Sequence, residues 1–438
     1  MQTVGLISLG CARNLVDSEV MLGSLKKAGY HIAHDPVLCD IIIVNTCGFI
    51  GDAKKESIDT ILEMAALKKK GGLKKLVMAG CLAQRYSNDL AEELPEVDLF
   101  VGTGEFPKIA ELLEQGEGIV HVGKPRALVD ETLPRLLATP KHYAYLKLAE
   151  GCQHSCSFCI IPKLRGPLRS RSVDSLVVET QNLIEQGVKE FNLIAQDSTG
   201  YGRDRKDGAT LLSLLKKLTA LSGEKWFRLF YAYPHGFPFE VIDYMKDAPQ
   251  VCSYLDMPIQ HMNDRILKSM RREGTAKDIR KIVEDVRKKM PDTTLRTTCI
   301  VGYPGETDAE FQELARFIAE GYFDHVGVFT YSEEEGTTAA KLKNDVSNKV
   351  KRGRKKELME IQQAASLKRN QNWVGKEIKV LVDAPGTARH QGQAPEVDGV
   401  VYLTGYNLPV GSFATVKIIE ARAYDLVAST ASNAKDRR

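Results

Sequence analysis

The sequence predicts an α/β protein in three parts: an open α/β domain over residues 1–135, an incomplete barrel of six βα units over 136–371, and a small all-β barrel over 372–438. Three observations predict it. Strand-like and helix-like segments alternate through the first part, the pattern of a parallel sheet. The alternation restarts after a Pro-containing connector at 134–140 and runs for six units, too few for the usual eight-stranded barrel. After Trp373 it gives way to short alternating strands punctuated by Gly and Pro. At about 100–200 residues per domain, 438 residues leave room for all three.

Residues 4–9 read as an apolar strand. Residues 14–28 read as a helix, with Leu15, Val16, Val20, Leu22 and Leu25 at helical spacing and Gly29 as its stop. The β-branched run 40–45 has the composition of a strand buried on both faces. A helix at 53–68 and strands at 75–79 and 98–101 complete the first part. In the second part strands fit 143–149, 190–194, 227–231, 251–256, 294–301 and 325–330. Helices fit 173–186, 211–221, 240–245, 276–289 and 308–319, and 346–372 reads as a long basic helix. The third part has strands at 377–382, 396–403 and 412–421, and its stretch 384–395, which contains His390, reads as a surface loop.

Hydrophobic residues at 43% and charged residues at 27% exclude wholesale disorder and a fibrous chain. No apolar run approaches the roughly 18 residues of a membrane span. The segment 1–9 lacks the basic lead and small-residue cleavage site of a secretory signal, so a cytoplasmic protein is expected. The net charge of +3 decides nothing, but its distribution does: 341–371 holds 10 basic and 3 acidic residues, and such a run is ordinarily a solvated helix face. Nine cysteines in a chain that is neither small nor secreted point to metal or catalytic use rather than to a disulfide framework.

Three of these cysteines, Cys152, Cys156 and Cys159, sit in one tight loop directly after the first barrel strand. A barrel's chemistry lies at that C-terminal edge. Three thiolates suit an iron–sulfur cluster with one iron left open. Zinc would need a fourth ligand, and His154 is the near candidate. Cys11, Cys47 and Cys81 each follow a strand of the first part, beside Gly10, Gly48 and Gly80. That edge of an open α/β sheet is where ligands bind, and the glycines let backbone approach a bulky group. These three make a second three-thiolate site. Cys39, Cys252 and Cys299 belong to neither set, and Cys252 and Cys299 lie in apolar strand runs suited to core packing.

The Cys-x₃-Cys-x₂-Cys loop, with Phe158 just before its third cysteine, resembles the radical S-adenosylmethionine (SAM) superfamily. Two cysteine triplets, a barrel and a final β module together resemble the methylthiotransferases, over essentially the whole chain. The resemblance implies two 4Fe–4S clusters, one on Cys11, Cys47 and Cys81 and one that chelates SAM on Cys152, Cys156 and Cys159. It implies sulfur insertion into an unactivated C–H bond, methylation of that sulfur from SAM, and a reductant such as flavodoxin or ferredoxin. It also implies SAM contacts. Phe158 would pack on the adenine, unless it is a core residue. Gln196 and Asp197 follow the second barrel strand where the superfamily contacts the SAM amino group. Arg228, a charge among Phe227, Leu229 and Phe230, needs a partner, and the SAM carboxylate is one. Gly302, after the fifth strand, would admit the adenosine, unless 300–306 is a plain turn.

The methylthiotransferases have two main branches, one acting on a tRNA adenosine and one on the β-carbon of an aspartate in small-subunit ribosomal protein number twelve. Residues 10–14, 157–162 and 254–261 resemble the second. The final module resembles a TRAM domain, which grips RNA through concentrated Lys and Arg in the tRNA branch. Here residues 372–430 hold five basic and six acidic residues, poor for phosphates and acceptable for a basic ribosomal protein. The 341–371 stretch and the tail 435–438 keep RNA contact open. The final module is expected to recognise substrate, free or ribosome-bound, and its removal to spare both clusters. The competing readings are the tRNA enzyme and a non-catalytic iron–sulfur carrier, the latter separable by whether the chain cleaves SAM.

Overall fold

The computed structural model describes residues 2–115 and 118–430; the tail 435–438 lies outside them. The first part is a six-stranded parallel sheet ordered His31–Ile32, Thr3–Ser8, Ile41–Thr46, Lys75–Gly80, Leu99–Val101 and Ile119–His121. Strand alternation sends successive side chains to opposite faces. Ile41 and Ile43 meet Val16, Val20 and Met21 of the helix Ala12–Lys27. Ile42 and Val44 meet Ile61 of Gly51–Lys69 and Leu82 of Cys81–Glu93 on the other face. The chain reverses direction across the sheet at Thr3–Ser8, which leaves a crevice beyond the ends of this strand and Ile41–Thr46.

The second part is also a parallel six-stranded sheet, in chain order from Tyr143–Lys147 through Glu190–Ile194, Trp226–Leu229, Val251–Asp256 and Thr294–Val301 to His325–Thr330. It does not close, as six units require. The five helices Val173–Glu185, Leu211–Thr219, Phe239–Asp247, Ala276–Lys289 and Asp308–Ala319 pack outside it through one large apolar core. The long helix Asn348–Gln371 adds Leu358 to that core beside the open edge, turning Lys351, Arg354, Leu358, Gln362 and Ser366 inward. The basic run is therefore solvated on one face only. Among the described residues no helix is long and apolar enough to cross a membrane.

The third part is a closed five-stranded barrel of Glu377–Ala384, Thr387–His390, Val401–Thr404, Leu426–Ser429 and Phe413–Ala421. It corrects the loop reading of 384–395. Thr387–His390 is a strand, and His390, Gln393 and Ala394 are buried. The expected strand 396–403 starts only at Val401, because the residues before it turn toward the larger barrel. There Glu396 accepts from the Tyr143 hydroxyl at 2.9 Å and the Tyr145 hydroxyl at 3.3 Å, and Asp398 accepts from the Tyr254 hydroxyl at 2.9 Å. The segment plugs the barrel's interior with polar groups that the barrel strands satisfy.

Candidate active site

Cys11, Cys47 and Cys81 leave the same edge of the first sheet. The register pairs Ser8 with Asn45 and Thr46 with Gly80, so the three strands end level. Gly10 has φ +89°, and a Cβ there would stand 2.8 Å from the Cys47 Cβ; only glycine lets these loops approach so closely. Cys11 caps the helix Ala12–Lys27 and Cys81 opens Cys81–Glu93, so both thiols sit where a helix favours negative charge. Burial pushes the Cys11 thiol up, but the Arg13 and Arg165 guanidinium groups outweigh it and bring the group below the ordinary thiol value. Burial, with Cys81 nearby, pushes Cys47 up to about 12. Burial also raises Cys81, against Arg165, whose Nη2 lies 3.5 Å from its sulfur. Asn14 ties the loops together, donating to the Leu9 and Thr46 carbonyls at 3.0 and 2.9 Å.

Cys152, Cys156 and Cys159 lie on the loop between Ala149–Glu150 and the short helix Ile161–Arg165. Burial holds Cys152 up at about 11 and Cys159 at about 12. The His154 Nε2 is engaged with Asp197 at 2.7 Å, and its ring stacks on Tyr233 with centroids 3.7 Å apart. Arg272 lies over the other aromatic surface, 4.0 Å from the Tyr233 centroid, and reaches toward the Cys156 sulfur at 3.8 Å.

The two thiol sets open into adjoining cavities. One, of about 220 Å³, is lined by Cys152, Cys156, Cys159, Phe158, Tyr233 and Gln260 among others. The second, of about 370 Å³, is lined by Cys11, Cys47, Cys81, Arg165 and Phe329 among others. Arg13, Phe49, Ile161 and Gln196 belong to both and form a shared wall. Among the described residues no three His, Cys, Asp or Glu side chains converge on one metal ion. A cluster places each thiolate on a different iron, and sets of three spread thiols fit that requirement. In the first cavity the side-chain oxygens of Gln196 and Gln260 are buried with no hydrogen-bond partner. Orphaned acceptors of this kind fit a ligand that brings N–H donors, as the amino group and adenine of SAM do. Tyr231 (φ 58°) and Gln260 (φ 70°), both in this wall, hold left-handed backbone that non-glycine residues rarely adopt.

Of the expected SAM contacts, Phe158 and Gln196 line the cavity. Phe158 also packs against the cluster of Ile266, Met270, Tyr303 and Tyr331, the contact its core reading expects. Asp197 reaches the cavity only through His154; its other oxygen accepts from the Thr199 N–H at 2.9 Å. Arg228 is a correction. It is fully buried, its Nε 2.9 Å from Glu190, and it donates to the Gln391 carbonyl of the third part. The partner its charge needs is thus a carboxylate at the opposite end of the strand from the cavity. Gly302 is a second correction: it faces Lys351 of the long helix. Cys39, Cys252 and Cys299 are buried. Sequence reasoning missed Arg13, Tyr231, Tyr233, Gln260 and Arg272. Arg13 carried the one available signal, a charge two residues past a cysteine.

Residues 146–318 match the radical SAM superfamily, 3–102 match the family described as uncharacterized protein family UPF0004, and 374–430 match the TRAM domain. The solved radical S-adenosylmethionine methyltransferase TsrM from Kitasatospora setae shares the fold, with a TM-score of 0.56 at 15% identity over 77% of each chain. A parallel barrel with a three-thiol loop at its C-terminal edge defines the chain as a radical SAM enzyme, a class that uses a 4Fe–4S cluster and SAM. It is 47% identical to the ribosomal protein uS12 methylthiotransferase RimO of Pelobacter propionicus over 97% of both chains. It is 49% identical to that of Syntrophotalea carbinolica over 97% of this chain and 96% of the other. The chain belongs to this methylthiotransferase family.

Proposed function

We propose that this enzyme methylthiolates the β-carbon of an aspartate in ribosomal protein uS12. The carrying observation is the pair of three-thiol sets on adjoining cavities with one shared wall. In this reading Cys152, Cys156 and Cys159 hold the SAM-chelating 4Fe–4S cluster, and Cys11, Cys47 and Cys81 hold the second. When bound, these groups and SAM would supply the hydrogen-abstracting radical and the methyl group. The chain's own residues hold and orient. Gln196 and Gln260 offer acceptors to SAM, Phe158 and Tyr233 offer aromatic surface, and Asp197 fixes His154 against Tyr233. Arg13 and Arg165 set positive charge beside the Cys11 thiolate. The electron comes from outside the chain, from a flavodoxin or ferredoxin. The working units are 1–135, 136–371 and 372–438.

The test is mass spectrometry of uS12 from cells with and without this gene, together with nucleoside analysis of their tRNA. The expected result is one methylthio group on a uS12 aspartate, present only with the gene, and no change in tRNA. A gene-dependent methylthio-adenosine with unmodified uS12 overturns the substrate, and a reconstituted protein that leaves SAM intact overturns the reaction.

A further inference from the structure

Arg13 stands on the wall that the two cavities share. Its guanidinium donates to the Ala195 carbonyl at 2.7 Å, lies 4.5 Å from the Tyr231 centroid and stands beside the Cys11 thiol. Among the described residues no carboxylate pairs with it. Of the other two guanidinium groups in these walls, one is ion-paired and one lies off the shared wall, toward the Cys156 sulfur. Arg165 is ion-paired with Asp17 at 2.6 Å and Glu150 at 3.3 Å, and Arg272 donates to the Pro258 carbonyl at 2.7 Å beneath Tyr233. Neither cavity has an Asp or Glu in its wall, and around Arg13 the shared surface is Phe49, Ile161 and the Gln196 amide. A planar fork of donors in a largely apolar wall, beside the Cys11 thiol but with no carboxylate of its own, has donors left for a carboxylate from outside.

Resting on the methylthiotransferase reading above, we propose that Arg13 is the specificity residue that receives the carboxylate of the target aspartate. The β-carbon is bonded directly to that carboxylate. Anchoring the carboxylate on the shared wall therefore sets this carbon within reach of both thiol sites, where small misplacements are costly. An asparagine of the same shape presents no charge and loses the charge-assisted bond.

The experiment uses the full chain, anaerobically reconstituted with SAM present, and fluorescently labelled uS12 carrying either the native aspartate or asparagine at the target position. The native enzyme is expected to bind the aspartate form about tenfold more tightly, the size of one charge-assisted hydrogen bond. Arg13→Met is expected to bind the two forms equally, and Arg13→Lys to keep a preference narrowed severalfold. If Arg13→Met retains the preference, or weakens both forms alike without changing their ratio, Arg13 only balances the Cys11 thiolate and the proposal fails. Should Arg13→Met not fold, Arg13→Lys decides, since an unchanged ratio there also overturns it. Failure of the native enzyme to bind either form would instead overturn the substrate reading beneath.

Discussion

His390 lies against Trp373, with ring centroids 5.1 Å apart, and its Nδ1 accepts from the Gly392 N–H at 3.0 Å. Burial, with Arg228 and His325 close by, pushes its pKa down to about 3. The unfolded chain therefore takes the proton first as pH falls below about 6.5. His390 withholds stability progressively from there toward pH 3, by about 2 kcal/mol at pH 5. The native protein should lose about that much more stability between pH 7 and pH 5 than His390→Asn, read from urea midpoints. Equal losses would mean the folded ring takes its proton over the same pH range as the unfolded one. The cysteines give a second expectation. Reconstituted protein should carry about eight irons. Replacing Cys152, Cys156 and Cys159 with Ala should leave about four and abolish SAM cleavage. Replacing Cys11, Cys47 and Cys81 should leave about four with cleavage intact. Loss of both clusters from either triple variant would show a single joint site. That these six thiols gather in two sets was legible in the sequence, because one set shares a tight loop and each member of the other follows a strand of one sheet. Arg13, Tyr231 and Gln260 were not, since each is one residue whose position depends on a loop from another part of the chain.

Among the elements, the long helix Asn348–Gln371 depends on Gly302, whose φ is +71° and whose added Cβ would stand 2.3 Å from the Lys351 Cγ. Gly302→Ala should cost about 2–4 kcal/mol through strained backbone and overpacking. It should lower the thermal midpoint while leaving SAM affinity of the folded protein in place. Reduced SAM affinity at unchanged stability would restore Gly302 to the SAM site. Strands and helices with strong periodicity were legible, because a strand buried on both faces and an amphipathic helix leave different apolar patterns. The helix Cys81–Glu93 was not, since its exposed turns are polar and only Leu82, Ala83 and Leu90 face the core beside Cys81. The edge strand Ile119–His121 is three residues long, too short to show a period. The plug before Val401 defeated the sequence reading for another reason: Glu396 and Asp398 alternate with Val397 and so look locally like the start of a strand, although both turn away to satisfy a distant barrel.

At the scale of the molecule, the third part is interlocked with the second. Glu190 is held between Arg228 at 2.9 Å and Arg389 at 2.7 Å, and all three are buried. His142 meets Asp383 at 2.8 Å, and Ala394 joins a core that contains Tyr143, Tyr145 and Tyr254. Truncation after Asn370, expected from sequence to spare both clusters, should instead give protein that is poorly soluble and low in iron. A soluble truncate with full iron would refute the interlock. Arg389→Met should cost about 3 kcal/mol by removing a partner of both Glu190 and Asp383, and adding Glu190→Gln should deepen the loss, because buried Arg228 then has no carboxylate. The first part is tied to the second at several places, two of them well separated. Arg135 bridges Glu19 and Glu179 at 2.6 Å each, and Glu334 receives Lys54 at 2.7 Å and Arg85 at 2.8 Å. Sheets pinned twice cannot swing apart like a jaw. The crevice between them then keeps its width, because neither sheet is free to hinge away from the other. Whatever enters is met by walls already in place, so the cost of fitting falls on the visitor and not on the host.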